Sequence, residues 1–331
     1  MSDIADQVQV TRTEVRGFRA WTVANQSLSF TIVPDLGGKV SSIRDPRSGR
    51  EWLWTNPSLP YRRLPYGASY RELADTGGWD ECFPTIAACS YPLAPWLGLE
   101  LPDHGELWSQ AWSLAIEGDP AVGVKARMEV HGRDLPYVFH RVITIVPHDA
   151  TLRFAYRVIN MADRDLAFIW SAHPSFAVEP GMHVLLPSDA RMRVWTCEPP
   201  DFIRGKGERG WPVHGHDAGD EYDLGLVPAA TAGIACKLWS MPLARGYAAL
   251  QAQDGAFRFT FDPAVLPQVG LWINAGSSSG QNVAPSYTVA IEPCIGAQDS
   301  LEQAVAEFGL YGLVPARGEH AWAFDAHLSV L

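Results

Sequence analysis

Apolar and polar residues alternate with a period of two along most of the chain. In residues 151–160, Leu152, Phe154, Tyr156 and Val158 occupy every second position, and two arginines and an alanine fall between them. Successive side chains of a β-strand point to opposite faces, so this period is that of a strand with one buried face. Similar runs occupy residues 20–33, 125–131, 138–146, 166–172, 246–251, 257–261, 269–274, 287–292 and 321–330. The pattern therefore predicts a chain made mostly of strands.

Helical periodicity is rare by comparison. The clearest window, residues 299–308, could be capped by Asp299 or Ser300 and end at Gly309. Turn sequences separate the predicted strands, which fits the 29 glycines and 25 prolines. Many strands with few short helices predict an all-β sandwich or barrel rather than an α/β fold. All-β proteins of this length often form one domain, so we expect a single domain over residues 1–331.

Two stretches, residues 56–70 and 197–223, are rich in proline and glycine and follow neither period. Irregular segments of this length are usually functional. We expect both to border a binding cleft.

Composition narrows the classes of partner. The chain has 331 residues, of which 47% are hydrophobic, enough for a sizeable core. Its formal net charge is −11 and it has no run of Lys and Arg, which argues against a nucleic-acid partner. An acidic chain does not suit an anionic membrane surface, and no apolar stretch is long enough to span a bilayer. We therefore expect neither nucleic acid nor membrane as a partner.

The compartment is predicted from the start of the chain and from its cysteines. Residues 1–7 lack the basic and apolar regions of a signal peptide. The five cysteines are odd in number and include no Cys-x-x-Cys pair. Both features favour a cytoplasmic protein with reduced thiols.

Three short motifs each present one ionisable side chain. They are Pro-Asp-His-Gly-Glu with His104, Trp-Ser-Ala-His-Pro-Ser-Phe with His173, and Val-Ala-Ile-Glu-Pro-Cys with Glu292. In the third motif the apolar alternation ends at Glu292, and Pro293 is expected to break the ladder. Singly, each side chain has an ordinary structural interpretation, a hydrogen-bonded histidine or a solvated strand end. The combination, widely spaced in an all-β chain, favours a functional site.

In these motifs the sequence resembles the galactose mutarotase-like family, which includes the aldose 1-epimerases. The likeness covers most of the chain, from an opening hairpin at residues 33–51 to the Glu-Pro stretch at residues 292–301. The resemblance implies a β-supersandwich and the interconversion of sugar anomers without a metal or an organic cofactor. By the same resemblance, Glu292 matches the general base, His173 the general acid, and His104 a second histidine that binds substrate.

The resemblance fails at one point. The family's Asn-x-Arg stretch before the first histidine has no counterpart here, although Arg62, Arg63 and Arg71 lie in the corresponding region. Any of the three could replace the family's arginine, and we carry Arg71 as the candidate for substrate contact. A neutral aldose is the expected substrate, with uronate, sulfonate and phosphate sugars as alternatives.

Three other residues could bind sugar. Asp80 follows a Gly-Gly-Trp turn and could accept hydrogen bonds from hydroxyls, Trp272 could form a wall against a sugar ring, and Asp223 is a further acceptor. The pair His214 and His216 has the spacing of metal ligands, but no third ligand lies at a familiar distance along the chain. We therefore predict no metal site.

Anomer interconversion needs a base for the proton of the C1 hydroxyl and an acid for the ring oxygen, duties that a carboxylate and a histidine can share.

Two other functions remain open. A glycosidase could use Asp80 and Glu292 as its two carboxyl groups, which would leave the histidines unassigned. A non-catalytic sugar-binding or sensing protein would need neither acid nor base.

Overall fold

Antiparallel strands make up most of the regular structure in the computed structural model, which describes residues 7–204, 207–217, 219–278, 284–296 and 298–330. The strands are β1 (Gln9–Val15), β2 (Phe18–Ala24), β3 (Ser29–Val33), β4 (Lys39–Arg44), β5 (Trp79–Cys82), β6 (Cys89–Ser90), β7 (Glu100–Leu101), β8 (Ser113–Asp119), β9 (Gly123–His131), β10 (Tyr137–Ile145), β11 (Thr151–Asn160), β12 (Leu166–Phe168), β13 (Trp170–Ala177), β14 (His183–Leu185), β15 (Arg191–Glu198), β16 (Glu208–Gly210), β17 (His214–Asp217), β18 (Asp220–Asp223), β19 (Ile234–Ser240), β20 (Tyr247–Gln251), β21 (Gly255–Phe261), β22 (Gln268–Ala275), β23 (Tyr287–Ile295), β24 (Gly312–Val314) and β25 (Glu319–Val330). The short helices are α1 (Tyr70–Leu73), a 3-10 turn (Ala230–Ala232) and α2 (Leu301–Gln303), which continues as a π-helical turn (Ala304–Phe308).

Two large sheets organise these strands. The first has eleven strands in the order β1-β2-β3-β4-β5-β13-β23-β22-β19-β15-β16, and the second has eight in the order β14-β20-β21-β25-β11-β10-β9-β8. The strands β13, β23, β22 and β19 are therefore consecutive neighbours near the middle of the first sheet, although they come from distant parts of the sequence. This placement brings the second and third motifs together.

An aromatic layer packs between the two sheets. Trp79 on β5 stacks on Phe154 of β11, with ring centroids 4.5 Å apart, and lies 5.9 Å from Phe324 of β25. A buried ion pair accompanies these rings, because Nη1 of Arg141 on β10 lies 2.8 Å from Oε1 of Glu81 on β5. One face of the first sheet is thus covered by the second sheet, and its other face is left for a cavity.

The sequence-based expectation of an all-β fold with few short helices is confirmed. On β11 the four alternating apolar residues are buried, and the residues between them are exposed or half-buried. Ser300 caps α2 by accepting a hydrogen bond from the backbone N–H of Gln303, and Gly309 ends the following turn with a positive φ of 64°.

Two details of the strand prediction differ from the structure. Residues 20–33 form parts of two strands, because Asn25 turns the chain by accepting hydrogen bonds from the backbone N–H groups of Ser27 and Leu28. Pro293 breaks the ladder on one side only, because the pairing with β13 is interrupted there while β23 runs on to Ile295 with Pro293 opposite Val269 of β22.

The cysteines also differ from the expectation of five reduced thiols. Cys197 on β15 and Cys236 on β19 are cross-strand partners and form a disulfide. Cys82, Cys89 and Cys294 are free and buried. The expectation failed because the pairing depends on the register of two strands, which the spacing along the chain does not reveal.

In the described part of the chain, no helix has the length and apolar character needed to cross a bilayer.

Candidate functional site

A cavity of about 330 Å³ opens on the face of the first sheet that is turned away from the second. Four neighbouring strands each contribute a lining side chain: Ser175 from β13, Thr288 from β23, Trp272 from β22 and Lys237 from β19. Both irregular stretches expected to border a cleft contribute as well, the first through Asn56 and Tyr70 and the second through Cys197 and Glu198. A volume of this size lies at the lower end of the range for small-molecule sites.

The register of two strands brings the second and third motifs together. Ser171 pairs with Cys294 and Ser175 pairs with Ala290, so the same register sets His173 opposite Glu292. The backbone ladder between β13 and β23 is interrupted between these flanking pairs. Pro174 and Pro293 lie in this gap, and a proline has no N–H to donate to a ladder.

A compact ionic cluster lies beneath the cavity. Nδ1 of His173 is 2.9 Å from Oε1 of Glu292. Nζ of Lys237 is 2.9 Å from Oε2 and 3.2 Å from Oε1 of the same carboxylate. The hydroxyl of Ser171 donates a further, longer hydrogen bond of 3.4 Å to Oε2. Both carboxylate oxygens of Glu292 are therefore engaged.

The charges in this cluster stabilise one another. Burial by itself would raise the pKa of Glu292, but Lys237 and His173 lower it to about 2. Burial would likewise lower the pKa of Lys237, but Glu292 and then Asp299 raise it above its ordinary value. At neutral pH the Glu292–Lys237 pair is thus a carboxylate and an ammonium ion.

Glu292 is buried beneath the cavity. Its side chain has no exposed surface, and the cavity is lined by Lys237 and His173 instead. Gly270, the cross-strand partner of Glu292 on β22, lies so close that a Cβ there would be 2.7 Å from Oε2 of Glu292. The carboxylate meets the cavity through His173 and Lys237, which contact it and line the cavity.

His104 lines the cavity from a strained turn. Its φ is +60°, a conformation that residues other than glycine rarely adopt, and its backbone N–H donates to the carbonyl of Ile86 at 2.5 Å. Its ring stacks on that of Tyr70 with centroids 4.0 Å apart, and its Nδ1 lies 2.8 Å from Oδ1 of Asp103. The ring of His104 is also 5.4 Å from the ring of His173. The two histidines are thus neighbours in one cavity.

Asp80 lies behind this site rather than in it. It is the cross-strand partner of His173, but it does not line the cavity. Its Oδ2 accepts hydrogen bonds from Nζ of Lys39 at 2.6 Å and from the hydroxyl of Tyr70 at 2.8 Å. Both of these contacts are internal, and through the second Asp80 holds the ring that stacks on His104.

Of the remaining candidate residues, some line the cavity and others do not. Trp272 and Arg71 line the cavity. Arg62 and Arg63 do not, because Arg62 donates to the carbonyl of Leu73 and Arg63 pairs with Asp35.

Asp223 lies on the hairpin of β17 and β18, outside the lining of the cavity, and its Oδ1 accepts the N–H of Gly225 at 2.7 Å. His214 lies on the same hairpin, 3.4 Å from Glu221. Among the described residues, no group of three or more His, Cys, Asp and Glu side chains could hold a metal ion.

Sequence reasoning did not single out Lys237, Asp103, Tyr70 or Asp299. Lys237 had a usable signal: it is the one charged residue in the otherwise apolar run Ile-Ala-Cys-Lys-Leu-Trp, and a lysine buried in a strand requires an anionic partner. Asp103 had one as well, because it directly precedes His104 in the first motif. Tyr70 and Asp299 had none, because their roles depend on contacts between distant parts of the chain. Asp299, for example, reaches the cavity at 3.9 Å from Nζ of Lys237 through its Oδ1.

Comparison with known proteins places the fold. No family model matches the sequence, and no curated protein matches it significantly. Solved structures do match: a proposed aldose 1-epimerase from Klebsiella pneumoniae has a TM-score of 0.72 at 15% identity, covering 97% of this chain and 83% of the other. A galactose mutarotase-like protein from Clostridium acetobutylicum has a TM-score of 0.65 at 10% identity, covering 98% and 99%. One from Lactobacillus casei has a TM-score of 0.56 at 16% identity, covering 93% and 99%.

The chain therefore has the galactose mutarotase-like fold, as its resemblance in sequence implied. Fold alone does not fix function, so the activity has to be argued from the site.

Proposed function

We propose that the protein interconverts the α and β anomers of a sugar by acid–base ring opening, as an aldose 1-epimerase does. The observation that carries the proposal is the contact between His173 and Glu292 at 2.9 Å beside a cavity of about 330 Å³. The names of the structural neighbours, which include a proposed aldose 1-epimerase and galactose mutarotase-like proteins, support the same reaction class.

In this proposal His173 is the general acid at the ring oxygen. Glu292 occupies its Nδ1, so Nε2 is the ring nitrogen left for a sugar. Glu292 is the general base of this proposal. Its direct contact with the C1 hydroxyl, as the resemblance implied, would require Lys237 and His173 to move aside.

A monosaccharide suits the remaining lining. Trp272 offers an aromatic surface for the apolar face of a sugar ring. Arg71 and Lys237 can donate hydrogen bonds to hydroxyls, and Glu198 and Asp299 can accept them. Because the lining carries both signs of charge, we take a neutral aldose as the first substrate class to test. The glycosidase alternative loses support, since neither Asp80 nor Glu292 lines the cavity.

Exchange NMR or polarimetry of freshly dissolved α-glucose, α-galactose, glucuronate and glucose 6-phosphate tests the proposal. We expect one or more of these sugars to equilibrate faster with the protein, and we expect His173→Asn to remove the acceleration. His131→Asn is the matched control, since His131 is exposed on β9. Binding of a sugar without acceleration across the panel would refute the enzyme and favour a sugar-binding protein.

A further inference from the structure

One residue in the wall of the cavity has a strained conformation and no part in the proposed acid–base chemistry. Thr76 has a φ of +55°, in the left-handed region, and it lines the cavity. In the described part of the chain five residues other than glycine have a positive φ, and Thr76 is the one of them that is branched at Cβ. For such a side chain this conformation is a genuine outlier, and outliers of this kind cluster at functional sites. Thr76 is therefore a candidate for contact with a ligand.

Close contacts on both sides impose this conformation. The N–H of Gly78 donates to the carbonyl of Trp54 at 2.8 Å, and a Cβ at Gly77 would lie 2.7 Å from the same carbonyl oxygen. On the other side, Oδ1 of Asp75 accepts the N–H of Gly77 at 2.9 Å. The chain is thus held before and after Thr76, which keeps this residue in a conformation that its own side chain disfavours.

The hydrogen bonds of Thr76 leave its hydroxyl proton for a ligand. Nδ2 of Asn56 donates to Oγ1 of Thr76 at 3.1 Å, and the orientation of this amide is set because its Oδ1 accepts the backbone N–H of Ser58 at 2.8 Å. Oγ1 of Thr76 is an acceptor in this contact, and a hydroxyl that accepts still has its own proton to donate. None of the residues that the structure describes accepts that proton.

Ser175 places an acceptor beside this donor. Its hydroxyl donates to the backbone carbonyl of Thr76 at 3.0 Å, which leaves its lone pairs for a donor in the cavity. Thr76, Asn56 and Ser175 all line the cavity, and all three are uncharged. A donor and an acceptor side by side match a hydroxyl group, which is both, whereas a carboxylate or a phosphate is bound best by a cation. The three residues therefore form a neutral site, which we call the Thr76 subsite.

The strand order sets where this subsite lies relative to the reacting atoms. β13 carries His173 and lies between β23, which carries Glu292, and β5, which begins three residues after Thr76. Ser175 is two residues beyond His173 on β13, and strands rise about 3.3 Å per residue, so the subsite begins about 7 Å from that histidine. The ring oxygen of a pyranose is bonded to C1 and C5. With Glu292 at the C1 hydroxyl and His173 at the ring oxygen, C5 and its substituent face the side of β5.

Resting on the proposed anomer interconversion, we propose that the Thr76 subsite binds the C6 hydroxyl of a hexose, with Thr76 donating to this hydroxyl and Ser175 accepting from it. The substrates are then hexoses with a free C6 hydroxyl. A pentose or a 6-deoxyhexose loses both hydrogen bonds. A uronate or a 6-phosphate brings a negative charge to three side chains that carry no positive one. The strained backbone is what directs the hydroxyl of Thr76 into the cavity.

Matched pairs of sugars test the proposal. The exchange assay compares glucose with 6-deoxyglucose and galactose with 6-deoxygalactose, because the members of each pair differ only in the C6 hydroxyl. We expect kcat/KM of the wild-type protein to be about 10-fold higher for the hexose that it accepts than for the 6-deoxy analogue, the usual worth of hydrogen bonds to one hydroxyl. Thr76→Val keeps the branched shape and removes the donor. It should lower kcat/KM for the hexose about 5-fold and leave that for the 6-deoxy analogue unchanged.

Glycine and alanine variants test the strain separately. Alanine is ordinarily the more stabilising of the two residues, but at a positive φ the order reverses. We therefore expect Thr76→Gly to unfold at a higher temperature than Thr76→Ala, while both variants lose most of the preference for the C6 hydroxyl. Thr13→Val, at an exposed position on β1, is the matched control and should keep both the stability and the preference of the wild type.

The outcomes separate this subsite from the proposed function. If the wild-type protein exchanges a hexose but Thr76→Val slows the hexose and its 6-deoxy analogue equally, Thr76 only maintains the shape of the cavity and the inference fails. It also fails if the wild type exchanges both members of each pair at the same rate. If the wild type exchanges no sugar, the proposed function fails, and the dissociation constants of the same pairs then test the subsite alone. Equal constants, or no binding of any of the four sugars, would overturn it.

Discussion

Lys237 gives the sharpest test of how the site is held together. Replacing it with methionine removes the ammonium group that lies 2.9 Å and 3.2 Å from the two carboxylate oxygens of Glu292. Methionine keeps an apolar side chain of similar length against the ring of Trp239, which now lies 4.6 Å from Nζ. The substitution therefore changes mainly the charge, and Glu292 is left buried without its counter-ion.

The expected cost follows from the pKa of Glu292. A fall from 4.5 to about 2 corresponds to about 3 kcal/mol in favour of the carboxylate, at about 1.4 kcal/mol for each pKa unit. Breaking a buried ion pair by removing one partner typically costs about 3–5 kcal/mol. We expect Lys237→Met to lower the free energy of unfolding by about 3 kcal/mol at pH 7.

The sign of the pH dependence is a second signature. In the wild-type protein the folded-state pKa of Glu292 lies below the unfolded value, so its contribution is present above about pH 4.5 and is lost as the pH falls towards 2. In Lys237→Met, burial raises this pKa, so the variant loses stability as the pH rises past the unfolded value. The difference between the two proteins should therefore shrink from pH 7 to pH 4.

Urea unfolding followed by tryptophan fluorescence at pH 4–8 measures both effects. Lys237→Met combined with Glu292→Gln should recover much of the loss, because neither charge remains. Lys125→Met, at an exposed position on β9, is the matched control. A Lys237→Met variant as stable as the wild type at pH 7, or a deficit that does not change with pH, would refute the account.

Three further predictions concern the scaffold. Gly105→Ala should destabilise the fold by about 1–3 kcal/mol, because Gly105 has a φ of +74° and the new Cβ would overlap the carbonyl of Phe83. It should also lower any activity that needs the neighbouring His104. Thermal unfolding measures the loss of stability, and the exchange assay measures the loss of activity. Arg141→Met should lower the free energy of unfolding in urea by about 3–5 kcal/mol, because it leaves the buried carboxylate of Glu81 without its counter-ion. A variant as stable as the wild type would contradict the ion pair at 2.8 Å. Titration of the denatured protein should find three thiols before reduction and five after it, and five from the start would exclude the disulfide.

Much of the fold could be predicted because its signals are local. On β11 the burial of Leu152, Phe154, Tyr156 and Val158 follows directly from their alternation. The boundary at residues 25–28 was missed because the turn at Asn25 depends on side-chain hydrogen bonds to two following N–H groups, within a run that otherwise favours a strand.

The site was predictable only where a motif marked it. His104 and His173 were found from their motifs, and the structure brings both to one cavity. For Asp80 the sequence shows an acidic residue after a turn but not which neighbour it meets. Lys39 lies 41 positions away along the chain and binds it at 2.6 Å. The sequence thus shows the charge of a residue, but not the distant residue with which that charge pairs.

The two prolines show how the sequence and the register together make the site. A proline in the middle of a sheet normally weakens it, because it removes a ladder hydrogen bond. Here Pro174 and Pro293 flank His173 and Glu292 on adjacent strands, and the ladder is open at that point. The carboxylate and the imidazole are instead joined through their side chains, at 2.9 Å. The third motif alone suggested a broken ladder, and only the pairing of the two strands shows that both continue and that the gap between them is where the ionic cluster is built.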